Sequence, residues 1–165
     1  MTLLSRRALL RGQIREEFRI LPPGLSRPVS EICEQCRACV DHCPQSIISI
    51  QSGIPALDFS ASGCDFCGKC HESCPQADVF FDADLSFPHM AQVQSHCLAL
   101  NSVDCQSCRD HCPSDAILFR PRAGGPWHPQ IVDDDCTGCG ACISHCPTDA
   151  ISLSVRSGSH VDAQP

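Results

Sequence analysis

CEQCRACVDHCP (33–44) decides the fold. Its four cysteines, Cys33, Cys36, Cys39 and Cys43, sit two, two and three residues apart, and Pro44 follows the last. The same spacing returns in CDFCGKCHESCP (64–75), with Cys64, Cys67, Cys70 and Cys74, and in CTGCGACISHCP (136–147), with Cys136, Cys139, Cys142 and Cys146. The remaining run, CLALNSVDCQSCRDHCP (97–113), third in chain order, carries Cys97, Cys105, Cys108 and Cys112, with the first gap stretched from two residues to seven. A tight loop with this spacing wraps three thiolates around a cubane and turns backbone N–H groups toward its sulfides, while the fourth cysteine leaves the loop. The four runs therefore call for four [4Fe–4S] clusters per chain, or three if the stretched run is empty, with all sixteen cysteines as iron ligands.

In two-cluster ferredoxins the fourth cysteine of each run ligates the neighbouring cluster, so runs interlock in pairs. The expected fold is α+β, with two bacterial-ferredoxin-like modules in tandem behind an N-terminal arm. Cys74 would complete the set of Cys33, Cys36 and Cys39, and Cys43 that of Cys64, Cys67 and Cys70. Cys146 would join Cys97, Cys105 and Cys108, and Cys112 would join Cys136, Cys139 and Cys142. The expected divisions are an arm at 1–23, cluster modules at 24–53, 54–84, 94–122 (the atypical one) and 127–156, and a tail at 157–165.

Competing uses of cysteine fit less well. Zinc sites pair CxxC units across longer loops, and a disulfide framework asks for a secreted chain. A thioredoxin-type pair accounts for two cysteines and leaves fourteen. With no Tyr, one Trp and seven Phe, the chain has few large side chains for a core, so the clusters are expected to act as one.

After each Cys-Pro the sequence repeats a helical turn and a short apolar strand: QSIISI (45–50), QADVFF (76–81), SDAILF (114–119) and TDAISLSV (148–155). Return strands are expected at PALDF (55–59) and HPQIVDDD (128–135), with hairpin turns at Gly53-Ile54-Pro55 and Ala123-Gly124-Gly125-Pro126. Segment 82–96 lacks the hairpin signature and is expected to hold the boundary between modules.

Charge divides unevenly. Residues 1–28 hold six Arg against Glu16 and Glu17, a net of +4, while the remainder carries a net of −11. The thiolate clusters add further negative charge, so nucleic-acid binding, which asks for a basic face on the folded body, is not expected. The arm opens MTLLSRRALLRG, and Ser5-Arg6-Arg7 followed by Leu9, Leu10 and Arg11 looks like a twin-arginine export motif. The continuation GQIREEFRI breaks the apolar stretch a signal peptide needs, so the protein is expected to remain cytoplasmic. Leu3, Leu10, Ile14 and Phe18 fall roughly at helical spacing, which suits a short amphipathic helix docked on a partner or on the protein's own body. No stretch has the length of a transmembrane helix.

The SRRALLRG start, the stretched CLALNSVDCQSCRDHCP run and the ILFRPRAGGPWHPQI (117–131) hairpin together resemble the NapF family, over nearly the whole length. The resemblance implies a cytoplasmic ferredoxin-type protein. It would bind NapA, the molybdenum-containing catalytic subunit of periplasmic nitrate reductase, and assist its maturation before twin-arginine export. Arg6, Arg7 and Arg11 would then be partner-binding residues.

From the residues alone, clusters held by four thiolates leave no open iron position for a substrate, which points to a carrier of single electrons and not to an enzyme. An electron donor of unknown identity is implied. A general polyferredoxin serving a dehydrogenase or reductase complex is the alternative. His42, His111 and His145 each precede the last cysteine of a run and His71 follows Cys70; these read first as residues on a helical turn. Lys69 and Arg109 read as surface charges, and Asp133, Asp134 and Asp135 as a solvated acidic turn.

Overall fold

The computed structural model describes residues 19–25, 33–82 and 84–156. Every α-helix there is a single turn: α1 (Ala38–Asp41), α2 (Lys69–Glu72), α3 (Ala77–Phe80), α4 (Ser107–Asp110) and α5 (Ala141–Ser144). A 3-10 turn covers Ala99–Asn101. The strands are β1 (Ile48–Gln51), β2 (Ile54–Leu57), β3 (His89–Val93), β4 (Ile117–Arg120), β5 (His128–Ile131) and β6 (Ile151–Val155). They form three two-stranded antiparallel sheets, β1–β2, β4–β5 and β3–β6.

Both hairpins expected between cluster runs are present, although Ile54 and Pro55, expected in the first turn, are already paired in β2. In β1–β2 the register sets Gln51 against Ile54, and Ser52 and Gly53 turn the chain with φ of 50° and 83°. Positive φ at both central residues matches the right-handed twist of the flanking strands.

The expected strand at QADVFF (76–81) is absent, and helix α3 stands in its place. The other three Cys-Pro units explain why. Ser46, Asp115 and Asp149, three residues beyond their cysteines, take left-handed backbone with φ of 53°, 52° and 51°, which ends the turn and starts a strand. Polar side chains that bond their own backbone ease that conformation. The second run has Ala77 at this position, and the chain continues into helix. The first module's outer edge is reduced to one antiparallel bridge, Leu25 to Phe81.

Segment 82–96, expected as a boundary, contributes β3 to the second module. Its pairing partner is β6, with His89 opposite Val155 and Val93 opposite Ile151. No local turn joins these strands, so no hairpin signature marks them in the sequence. The second module is thus an inner hairpin, β4–β5, and an outer pair that joins its first strand to its last.

Two small cores follow. One gathers Ile47, Ile48, Leu57, Phe59, Cys70 and Phe87; the other gathers Ala91, Ala99, Ala116, Ile117, Phe119, Cys136, Cys142 and Ile151. Ile143 and Leu153 pack against both, so the modules share a seam. Of the arm, residues 1–18, with Arg6, Arg7 and Arg11 and most of the expected amphipathic helix, lie outside the described residues. Its end docks on the body: the Ile20 carbonyl accepts from the Leu57 N–H at 2.7 Å, and the Arg19 guanidinium donates to Ser52 Oγ at 3.1 Å.

Candidate metal centres

In the three regular runs the loop backbone has one shape. The third position (Gln35, Phe66, Gly138) and the fifth (Arg37, Gly68, Gly140) all carry positive φ, between 53° and 75°. Left-handed residues spaced two apart fold successive N–H groups to the inside of the loop, the concave arrangement that receives anions. The stretched run departs from this. Its positive φ falls at Ser102 (66°), just after the 3-10 turn, while Gln106 has φ −132°.

The cysteines meet in crossed sets. One cavity is lined by Cys97, Cys105, Cys108 and Cys146 among apolar neighbours including Val93, Phe119 and Ile151. A second is lined by Cys112, Cys136, Cys139 and Cys142. A third is lined by Cys43, Cys64, Cys67 and Cys70. For the remaining quartet, Gln76 Nε2 donates to Glu34 Oε1 at 2.9 Å, which sets the end of the second run, two residues past Cys74, beside the loop of Cys33, Cys36 and Cys39. We call these the first site (Cys33, Cys36, Cys39, Cys74), the second (Cys43, Cys64, Cys67, Cys70), the third (Cys97, Cys105, Cys108, Cys146) and the fourth (Cys112, Cys136, Cys139, Cys142).

The donor chemistry suits a cluster. All sixteen cysteines are free thiols. In three of the sites four thiols surround a space in place of converging on a point. Among the described residues no three Cys, His, Asp or Glu groups stand close enough to share one metal ion. Thiols around an enclosed, largely apolar space fit a cubane with one iron per sulfur ligand.

Burial sets the chemistry of these thiols. It pushes the Cys64, Cys70 and Cys108 thiols up to about 11 and Cys142 to about 12, with smaller upward contributions from neighbouring cysteines; Cys39 is raised for the same first reason. Such thiols are protonated at neutral pH, and each must release its proton to ligate iron. Backbone N–H groups already point at sulfur: Phe66 to Cys64 Sγ at 3.4 Å, Ala91 to Cys136 Sγ at 3.5 Å and Ala150 to Cys146 Sγ at 3.1 Å. Bonds of this kind stabilise added negative charge and so raise a cluster's potential.

The sequence reading overlooked two side chains at these sites. Ser114 Oγ lies 3.6 Å from Cys112 Sγ and Thr148 Oγ1 lies 3.9 Å from Cys146 Sγ. The signal was a hydroxyl residue two places after the last cysteine, present in the third and fourth runs and replaced by Gln45 and Gln76 in the others. The histidines act as caps: the Nδ1 atoms of His42, His111 and His145 bond the carbonyls of Ala38, Ser107 and Ala141 at 2.8–2.9 Å. His111 and His145 also stack, with ring centroids 3.5 Å apart. His71 meets the Phe81 ring edge-on.

Cysteine loops of this kind, three of them met by the fourth cysteine of the neighbouring run, define a ferredoxin-type iron–sulfur protein. The 4Fe-4S dicluster domain family matches the chain twice, at residues 32–78 and 103–150, one match per module. The Ferredoxin-type protein NapF of Escherichia coli (strain K12) is 34% identical over 138 residues, covering 81% of this chain and 84% of that protein. The protein of the same name from Haemophilus influenzae is 36% identical over 108 residues, 64% of this chain and 61% of its own length. The chain belongs to the NapF family of ferredoxin-type proteins.

Proposed function

We propose that the four cysteine quartets hold four [4Fe–4S] clusters. On this reading the protein is a cytoplasmic carrier that binds the molybdenum-containing catalytic subunit of periplasmic nitrate reductase and assists its maturation before twin-arginine export. The observation that carries the cluster count is the lining of the third site. The stretched run still brings Cys97, Cys105 and Cys108 around one space with Cys146, so its longer first gap removes no ligand. The family of the chain supports the choice of partner.

Each cluster, when bound, supplies a centre that accepts and returns one electron. The chain's own contribution is to supply the four thiolates, to direct N–H groups at sulfur and to keep Cys70, Cys136, Cys139 and Cys142 from solvent. Among the described residues no helix is long and apolar enough to cross a membrane.

Capture from cytoplasmic extract tests the partner. The intact protein is expected to retain the molybdenum subunit, and a variant lacking residues 1–18 to retain less, while Ile20 keeps its place on the body. Equal retention would take the basic arm out of the reading, and no retention by the intact protein would sink it.

A further inference from the structure

The modules meet at a seam made from two cluster loops. The Cys64 N–H donates to the Cys139 carbonyl at 2.8 Å, so a cysteine of the second site is bonded through backbone to a cysteine of the fourth. The approach leaves no room for side chains: a Cβ on Gly63 would lie 2.7 Å from the Ala141 backbone, and one on Gly140 would lie 2.3 Å from the Phe59 ring. Within each module, short helices bring a second pair of loops together. Helix α1, with Cys39, packs on α2, with Cys70, and α4, with Cys108, packs on α5, with Cys142.

The buried cysteines fall in two of the four sites. All four buried cysteines, Cys70, Cys136, Cys139 and Cys142, belong to the second and fourth sites. No cysteine of the first or third site is buried.

Resting on the four-cluster reading, we propose that the sites are coupled in the order first, second, fourth, third, with the Cys64–Cys139 hydrogen bond as the junction between modules. This differs from the order of the runs along the chain. It places the third and first sites at the two ends and the second and fourth, which hold all four buried cysteines, in the interior, with Cys67 as the exposed edge of the second site.

Electron paramagnetic resonance of the dithionite-reduced holoprotein tests the order through spin–spin broadening between neighbouring clusters. Cys136→Ala with Cys142→Ala removes the fourth site; Cys97→Ala with Cys105→Ala removes the third. The fourth-site variant is expected to lose part of the broadening on the first module's signals, and the third-site variant to leave those signals unchanged. Any other pattern, with iron content lowered by about four per chain, overturns the order. Should either variant lose more iron than that, Gly63→Ala decides, because it keeps all sixteen cysteines and forces the seam apart. Weaker broadening supports the junction and unchanged broadening overturns it. Iron and acid-labile sulfide analysis of the unaltered protein reads the cluster assignment separately, so its failure is distinguishable from failure of the coupling order.

Discussion

His89 Nε2 donates to the Gly138 carbonyl at 2.9 Å, joining the first residue of β3 to the fourth cluster loop 49 positions away. The imidazole is 1% exposed, lies against the Phe87 ring with centroids 4.7 Å apart, and faces Arg156 from beyond β6. Arg156 in turn donates to the carbonyls of Asp133 and Cys136, so strand ends and cluster loop are fastened together.

Burial lowers the His89 pKa from its ordinary 6.5, and the nearby Arg156 charge acts in the same direction against the opposing Gly138 bond. The folded state therefore favours neutral imidazole and the unfolded state binds more protons as pH drops below that value. The stabilisation is complete above about pH 6.5 and is lost as pH falls through the depressed folded value. His89→Gln keeps a donor and cannot titrate. Thermal midpoints of the two holoproteins are expected to run parallel above pH 7 and to converge below pH 6, where the wild type falls more steeply. Parallel curves across the whole range would contradict this.

Crossed pairing has a counting consequence. Cys97→Ala with Cys146→Ala strikes one site twice and is expected to lower bound iron by about four per chain, whereas Cys136→Ala with Cys146→Ala strikes two sites and lowers it by about eight. The reverse pattern, about eight irons lost in the first variant and about four in the second, would mean that each run serves its own cluster. Iron analysis after anaerobic purification distinguishes the cases.

Gly140→Ala sets a methyl group where the Phe59 ring stands and strains a backbone at φ 75°. Overpacking and left-handed strain together cost about 2–4 kcal/mol. The thermal midpoint of the holoprotein is expected to drop accordingly, and Phe59→Ala in the same chain to recover part of the loss. Absence of any recovery would remove Phe59 as the obstacle.

Much of this was legible in the cysteines, because spacing dictates loop shape and loop shape dictates ligand number. Hairpins β1–β2 and β4–β5 were legible too, since each closes locally. Strand β3 was not, because its partner β6 is about sixty residues away and leaves no turn between them. Helix α3 was missed for a different reason: QADVFF has the apolar character of a strand, and the outcome turns on Ala77, where the other units have Ser46, Asp115 and Asp149. The seam at Cys64 and Cys139 is a tertiary contact between two loops of identical local pattern, and nothing in either loop announces the other.

The cores are small, and Cys70, Cys136 and Cys142 are themselves core residues. Ligation free energy is then a large part of folding free energy. Stripping iron under reducing, anaerobic conditions is expected to abolish the cooperative thermal transition and collapse amide dispersion in the NMR spectrum. A sharp transition in cluster-free protein would show that the side chains suffice.

The central claim is that sixteen thiols hold four cubanes, and the most direct measurement is joint iron and acid-labile sulfide analysis of anaerobically prepared protein. About sixteen irons and about sixteen sulfides per chain are predicted. About twelve of each would empty the stretched third site, and iron or zinc without sulfide would contradict the account outright.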